Sequence, residues 1–375
     1  MTTLEIAIIT DRAAWNNALA ALALAAPNAH ILQTWEWGEL KRMTTGWQPI
    51  RFAYKRDGQI AALASVGVRT AFRLFKVMYV PKGPVLAYAD AALLGAVLEH
   101  LEMFARRQGA VWLKIDPDVI DGTGIPGQPD EQPDTVGGAV KALLHQRRWQ
   151  FSPDQVQFRN TLVIDLARST DQLLAAMSQN TRRKVRAAER EGVTIRVGSA
   201  ADLPLLYDLY RVTGERDHFL IRPFSYYELA WKTFMEAGLA HPLIAEKDGV
   251  PIAMVILFHF GATCWYFYGA SSNQHRDAMP NYLLQWHAMQ WAKAHGYTLY
   301  DLWGAPNTFD ETDSMWGVFM FKQGFRGQVV RHIGAWDYAP YPPLYALYTQ
   351  VMPRLLRRMR AARGAAVENH DESTG

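Results

Sequence analysis

The sequence predicts an α/β protein built from two similar domains, each around a mixed sheet. An aspartate-glycine pair joins two apolar strands in each half, at Asp57-Gly58 and at Asp248-Gly249, the short-range signature of a β-hairpin. A third strand, a helix closed by glycine and a further strand then follow in the same order both times. Ala105-Arg106-Arg107-Gln108-Gly109 and Ala292-Lys293-Ala294-His295-Gly296 align without a gap, and each leads into a strand ending on an acid-containing turn. A period of about half the chain points to twin domains rather than to a solenoid of short repeats.

Asp11 caps a first helix reaching about Ala26, and Thr34 caps a second that carries Trp35, Trp37, Leu40 and Lys41 before Gly46. Strands are expected at 50–54, 60–68 and 75–80, the last stopped by Pro81-Lys82-Gly83-Pro84. Leu93, Leu94, Val97, Leu98, Leu101 and Phe104 recur at helical spacing, and a strand at 111–115 runs into Asp116-Pro117. From Asp121 to Gly138 glycine, proline and acids dominate, so a loop is expected there. A helical segment spans 169–191, and Ser225 with Glu228 forms a capping box for the next helix. Strands at 243–245, 252–260 and 263–268 precede a helix from about Asn281 to His295 and a strand at 299–303. An amphipathic helix from Leu344 to Arg363, interrupted by Pro353, closes the chain, with Arg354, Arg357, Arg358, Arg360 and Arg363 on its polar side.

Composition narrows the function. A chain of 375 residues with 49% hydrophobic and 20% charged residues can bury a sizeable core. Its formal charge of +3 is too small to mark a nucleic-acid binder but suits an anionic, phosphate-bearing ligand. Cys264 is the single cysteine, so no disulfide can close within one chain and a reducing, cytoplasmic setting is expected. The alanine-leucine run at 18–26 is too short to span a bilayer, and the scattered histidines lack the spacing of a zinc site. No metal and no cofactor are expected.

Four groups of residues carry candidate chemistry. Lys322 lies among Phe319, Phe321 and Phe325, where its ammonium must meet solvent, an acid or a ligand anion; the plain alternative is a lysine snorkelling along the surface. Arg222, the phenol of Tyr226 and a helix N-terminus suit phosphate, unless Arg222 simply pairs with Asp217 or Glu215. Arg182, Arg183, Lys184, Arg186 and Arg190 make a basic face that is either a phosphate contact or a solvated helix. There is no Gly-x-Ser-x-Gly elbow, so acyl transfer by positioning, with an ammonium beside the developing oxyanion, is the economical chemistry. Asp116 and Asp301 end strands, where each is either a proton acceptor or a turn cap.

The motifs taken in order resemble the FemABX aminoacyltransferases that build the interpeptide bridge of peptidoglycan. The matching pieces are Gln33-Thr34-Trp35-Glu36-Trp37-Gly38-Glu39-Leu40-Lys41, Tyr79-Val80-Pro81-Lys82-Gly83-Pro84, Lys114-Ile115-Asp116-Pro117 and Asn180-Thr181-Arg182-Arg183-Lys184. In the second half they are Arg216-Asp217-His218-Phe219, Tyr268-Gly269-Ala270-Ser271-Ser272, Tyr300-Asp301-Leu302-Trp303-Gly304 and Phe321-Lys322-Gln323-Gly324-Phe325. The resemblance implies two tandem GNAT-like (acyl-CoA N-acyltransferase-like) domains, one at 1–160 completed by 333–364 and one at 161–332, with a disordered tail at 365–375. It implies an acceptor groove in and beside the interdomain region. There Lys41, Arg222 and Tyr226, with Tyr268 nearby, hold the diphosphate end of a peptidoglycan precursor, lipid II or UDP-MurNAc-pentapeptide. Lys322 with Phe321 then faces the ester of an aminoacyl-tRNA, the co-substrate. The basic face of Arg182, Arg183, Lys184 and Arg186 is the candidate contact for the tRNA or another phosphate. No coiled-coil arm of the kind some members insert is present. Peripheral contact with the inner face of the cytoplasmic membrane is the accessory expectation.

Two other readings compete. One is a CoA-dependent N-acyltransferase on the same fold, although Gln274-His275-Arg276-Asp277-Ala278-Met279-Pro280 lacks the glycines of a pyrophosphate loop. The other is a non-catalytic tRNA or membrane-surface binding protein.

Overall fold

The computed structural model describes residues 4–26, 28–71 and 74–351. Two mixed sheets organise the chain. In the first, the neighbours in order are Glu5–Ile8, Gln48–Arg56, Gln59–Ala71, Phe75–Val80, Ala110–Ile115, Trp336–Tyr338 and Gln150–Phe151. In the second they are Thr194–Val197, Ala240–Lys247, Val250–Phe260, Thr263–Ser271, Leu299–Asp301, Asn160–Asp165, Gln328–His332, Ile120–Thr123 and Gln132–Pro133.

The internal repeat is visible in the pairing. Each half contains a hairpin on Asp-Gly, where Asp57 and Asp248 have φ of 51° and 52°. Each then adds an antiparallel third strand, a helix and a strand parallel to the third: Ala110–Ile115 beside Phe75–Val80, and Leu299–Asp301 beside Thr263–Ser271. The intervening helices, Ala91–Arg107 and Pro280–Ala294, bury Leu93, Leu94, Val97, Leu98 and Leu101 in one half and Leu283, Leu284, Ala288, Met289 and Ala292 in the other. Burying each such leucine contributes about 1.5–3 kcal/mol.

Two exchanges tie the halves together. The hairpin of Ile120–Thr123 and Gln132–Pro133 joins the second sheet by pairing with Gln328–His332, and Trp336–Tyr338 inserts between Ala110–Ile115 and Gln150–Phe151 in the first. Helix Trp35–Thr45, capped by Thr34 and closed by Gly46 at φ 73°, belongs to the first half by sequence. Its Trp37 and Leu40 pack instead with Trp231, Phe234 and Phe258 of the second half, which brings Lys41 across the boundary.

Local signals misplaced several elements. The segment 121–138 is not one loop, because the hairpin just described and the start of helix Thr135–Gln146, capped by Asp134, occupy most of it. The helix expected over 169–191 breaks at Met177 and Ser178 into Thr170–Ala176 and Gln179–Arg190, each with its own serine cap. The capping box on Ser225 does not form: the helix is Phe224–Glu236, Pro223 stands at its cap position, and no side chain caps it. The strand at 299–303 stops at Asp301, since Trp303 turns to φ 50°. Of the terminal helix, Pro342–Ala346 and a wider turn over Leu347–Val351 are described. Arg354, Arg357, Arg358, Arg360, Arg363 and the tail at 365–375 lie outside the described residues. Among the described residues no helix is long and apolar enough to cross a membrane.

Candidate functional site

A cavity of about 540 Å³ receives Lys41 and Arg222 together with Trp47, Arg69, Tyr79 and Trp112. Helix Trp35–Thr45 aims Lys41 into it from one half, and the residues leading into Phe224–Glu236 bring Arg222 from the other. The Lys41 ammonium donates to the Tyr226 hydroxyl at 2.9 Å and lies 4.4 Å over the Trp37 ring, while the Arg222 guanidinium lies 4.7 Å over Tyr226. Burial lowers Lys41 to about 8, and the charge of Arg222 acts in the same direction. Arg69 stacks 5.0 Å over Trp47. Among the described residues none of these three cations has a carboxylate partner, so a bound anion would relieve their mutual repulsion. The alternative pairing of Arg222 with Asp217 or Glu215 is not formed; those acids engage Arg216 and Arg211.

Tyr268 does not line this cavity. Its ring packs on Tyr227 at 6.1 Å, Trp231 at 5.6 Å and Phe258 at 5.7 Å, and Tyr227 in turn meets Tyr226 at 5.3 Å. Tyr227 and Tyr226 therefore stand between it and Lys41.

Lys322 sits on helix Trp316–Gln323 and is 3% exposed, which excludes a snorkelling surface lysine. It meets neither solvent nor acid directly: its ammonium donates to the carbonyl oxygens of Trp303 and, at 2.7 Å, Gly304, with the Tyr266 ring 5.8 Å away. Burial lowers it to about 7 against the pull of Asp301. It does not open into the cavity that holds Arg222. Phe321, half-buried beside it, packs on Tyr282 at 5.0 Å and Phe325 at 5.3 Å.

A buried polar chain lies between the cavity and this lysine. The cavity-lining Tyr79 hydroxyl donates to Asp116 at 2.5 Å, and Asp116 also accepts the Lys82 amide at 2.5 Å. The Lys82 ammonium pairs with Asp118 at 3.0 Å and stands 6.0 Å over Trp303, whose carbonyl holds Lys322. Asp301 accepts from Thr161 and, at 2.7 Å, from the Trp303 amide. Burial raises both Asp116 and Asp301 to about 6, and Lys82 pulls each back in part. Asp301 therefore caps the turn after its own strand, whereas Asp116 caps the turn at Lys82 after the neighbouring strand and reaches the cavity through the Tyr79 phenol.

The basic helix is not uniform. Arg182 donates to the Ala175 and Met177 carbonyls, and Lys184 donates to Tyr282 at 2.9 Å. Arg183 and Arg186 are exposed. This helix abuts the one bearing Lys322: the Ser178 amide donates to Gly324 at 2.9 Å, and a Cβ at Gly324 would lie within 2.3 Å of the Thr181 hydroxyl.

The residue-level reading passed over Arg69, Trp47 and Trp112, which stand on sheet strands or beside them with no local motif. It also passed over Lys82, Asp118 and Lys114. Lys82 and Lys114 do lie in the stretches Tyr79-Val80-Pro81-Lys82-Gly83-Pro84 and Lys114-Ile115-Asp116-Pro117, the signal by which they can be found. Lys114 is spent structurally, donating to Ser152 at 2.8 Å and to the Asp154 carbonyl at 2.5 Å.

Comparison with known proteins adds independent findings. The model of the FemAB family matches residues 20–248 and 236–352. A lipid II:glycine glycyltransferase from Staphylococcus aureus (strain MRSA252) is 28% identical over 401 aligned positions, covering 88% of this chain and 93% of its own. The crystal structure of FemX superposes with a TM-score of 0.80 at 26% identity, covering 92% of this chain and 99% of that one. A tandem GNAT protein from the clavulanic acid biosynthesis pathway shares the fold, with a TM-score of 0.53 at 13% identity over 90% of this chain and 99% of its own.

Proposed function

Since the chain belongs to the FemAB family, we propose that it transfers an amino acid from aminoacyl-tRNA to the side-chain amine of the stem peptide of a peptidoglycan precursor, forming an interpeptide bridge. One observation carries this reading: Lys41 and Arg222, supplied by different halves, converge on Tyr226 and line one cavity, and among the described residues neither is paired with a carboxylate. Two cations with a phenol between them suit the diphosphate that tethers such a peptide, whether the tether ends in lipid or in a nucleotide.

The chemistry is aminolysis. The acceptor amine attacks the ester carbonyl, a C–N bond forms, and the C–O bond to the terminal ribose of the tRNA breaks. The amine loses a proton and the ribose oxygen gains one. Lys322 would stabilise the oxyanion, because an ammonium has three donors and two are spent on the Trp303 and Gly304 carbonyls. Phe321 would border the aminoacyl group. Asp116, poised at about 6 and joined to the cavity through Tyr79, is the better supported route for the amine's proton; Asp301 is committed to Thr161 and Trp303. Arg183 and Arg186 would meet the tRNA backbone, while Arg182 ties its helix to the end of Thr170–Ala176 and Lys184 ties it to Tyr282.

The test is to incubate the protein with a pool of charged tRNAs and UDP-MurNAc-pentapeptide or lipid II and to follow the acceptor by mass spectrometry. A gain of one aminoacyl residue is expected with at least one acceptor. No gain with either acceptor overturns the reading.

A further inference from the structure

The cavity carrying Lys41 and Arg222 is bordered by apolar side chains that stand partly or wholly exposed. Leu220, two residues before Arg222, is fully exposed, and Phe219 beside it is 39% exposed. Across the cavity, Tyr348 and Thr349 form part of the lining, while their neighbours Leu347 and Val351 stand 41% and 49% exposed. Leu74, 75% exposed, precedes Phe75, whose ring packs on Tyr348 at 5.6 Å. Segments far apart in the chain thus place bare aliphatic groups near one opening. Single exposed aliphatics need no explanation, but a set gathered around a cavity does.

The charge around that opening narrows what covers it. Lys41, Arg69 and Arg222 all line the cavity without an acidic partner among the described residues, while its two acids, Asp154 and Asp337, face Lys114, so the apolar fringe surrounds an interior of net positive charge. A protein partner would need both an apolar rim and acids placed to match three separate cations. A bilayer with anionic headgroups supplies both an apolar layer for the leucines and a negative potential for the cations.

We propose that the face around this opening docks on an anionic lipid bilayer, Phe219 and Leu220 entering the headgroup layer on one lip and Leu74, Leu347 and Val351 on the other. This rests on reading the cavity as the acceptor site. A membrane-anchored diphosphate then reaches Lys41 and Arg222 along the surface, and its lipid never leaves the bilayer. The peptide beyond the diphosphate extends inward, toward Tyr79 and the buried polar chain.

The test compares the full-length protein with the double variant Leu220→Asp/Leu347→Asp, both positions being exposed and outside the anion-binding set. In co-sedimentation with phosphatidylcholine vesicles containing about 30 mol% phosphatidylglycerol, binding is expected to fall about tenfold in the variant. KM for lipid II embedded in those vesicles is expected to rise about tenfold, with turnover of soluble UDP-MurNAc-pentapeptide changed less than about twofold. Unchanged vesicle binding overturns the proposal. So does loss of binding in Arg357→Glu/Arg358→Glu with none in the leucine variant, since the basic tail would then be the anchor. If neither acceptor is processed by the unaltered protein, the acceptor reading fails, while sedimentation still decides the docking face.

Discussion

Two buried lysines, one in each half, show how a duplicated fold can fix one charge and leave another adjustable. Lys82 and Lys322 are 4% and 3% exposed, so each bears a similar desolvation cost. Lys82 faces carboxylates, Asp118 at 3.0 Å and Asp116 nearby, and these outweigh burial and raise it above its ordinary value. Lys322 faces carbonyl dipoles, and burial wins, lowering it to about 7. A full countercharge offsets desolvation where two neutral acceptors do not. The first half therefore holds a permanent cation inside its polar chain, and the second holds one whose charge changes near neutrality.

The contrast can be broken most directly by deleting each ammonium. Lys82→Met leaves Asp118 and Asp116 without their countercharge and is expected to cost about 3–5 kcal/mol in denaturant unfolding. Lys322→Met strands no acid that lacks other partners and is expected to cost far less at pH 7. Equal losses in the two variants would erase the distinction.

Activity sharpens the same contrast from the other side. Removing one oxyanion donor typically lowers turnover by about 10²–10³-fold, and Lys322→Met is expected to fall in that range while keeping its fold by circular dichroism. Turnover within twofold of the unaltered protein would take Lys322 out of the chemistry.

The pH dependence of stability separates the two lysines without any substrate. For Lys322 the folded value, about 7, lies below the unfolded one, so folding releases its proton and stability rises with pH between them. Relative to Lys322→Met, the unaltered protein is expected to gain about 1 kcal/mol per pH unit from 7 toward 10. Lys82 is raised, so its contribution is fully present below the ordinary lysine value and no such slope is expected from it in that window. A flat difference between unaltered protein and Lys322→Met would mean that the ammonium has a countercharge after all.

The smallest effect concerns the cavity cations. Lys41→Ala and Arg222→Ala are each expected to raise KM for the acceptor about tenfold with kcat little changed, as for a lost charge-assisted contact. Because Lys41 titrates at about 8, the KM of the unaltered protein should rise above that pH, and the inflection should vanish in Lys41→Ala. An inflection that survives the substitution assigns it to another group.

Much of the architecture was legible because it is encoded locally. Asp-Gly turns, helical spacing of leucines and glycine closures need only neighbouring residues, and the repeat at Gly109 and Gly296 follows from them. Local signals failed where tertiary pairing overrode them. The polar stretch 120–133 becomes a hairpin because Gln328–His332 offers it a sheet edge, and no propensity within the stretch encodes that edge. Ser225 lost its cap role because Pro223, with its fixed φ, starts the helix earlier.

By itself the sequence determined the twin α/β plan, that its single cysteine has no partner for a disulfide within this sequence, and the presence of cations at 41, 222 and 322. It could not determine what each cation meets. Lys41 finds Tyr226 185 residues away, Lys82 finds Asp118 through a turn and a neighbouring strand, and Lys322 finds backbone carbonyls that carry no residue identity at all. Charge state and accessibility depend on burial and on partners brought together from distant segments, and those are properties of the folded contact map alone.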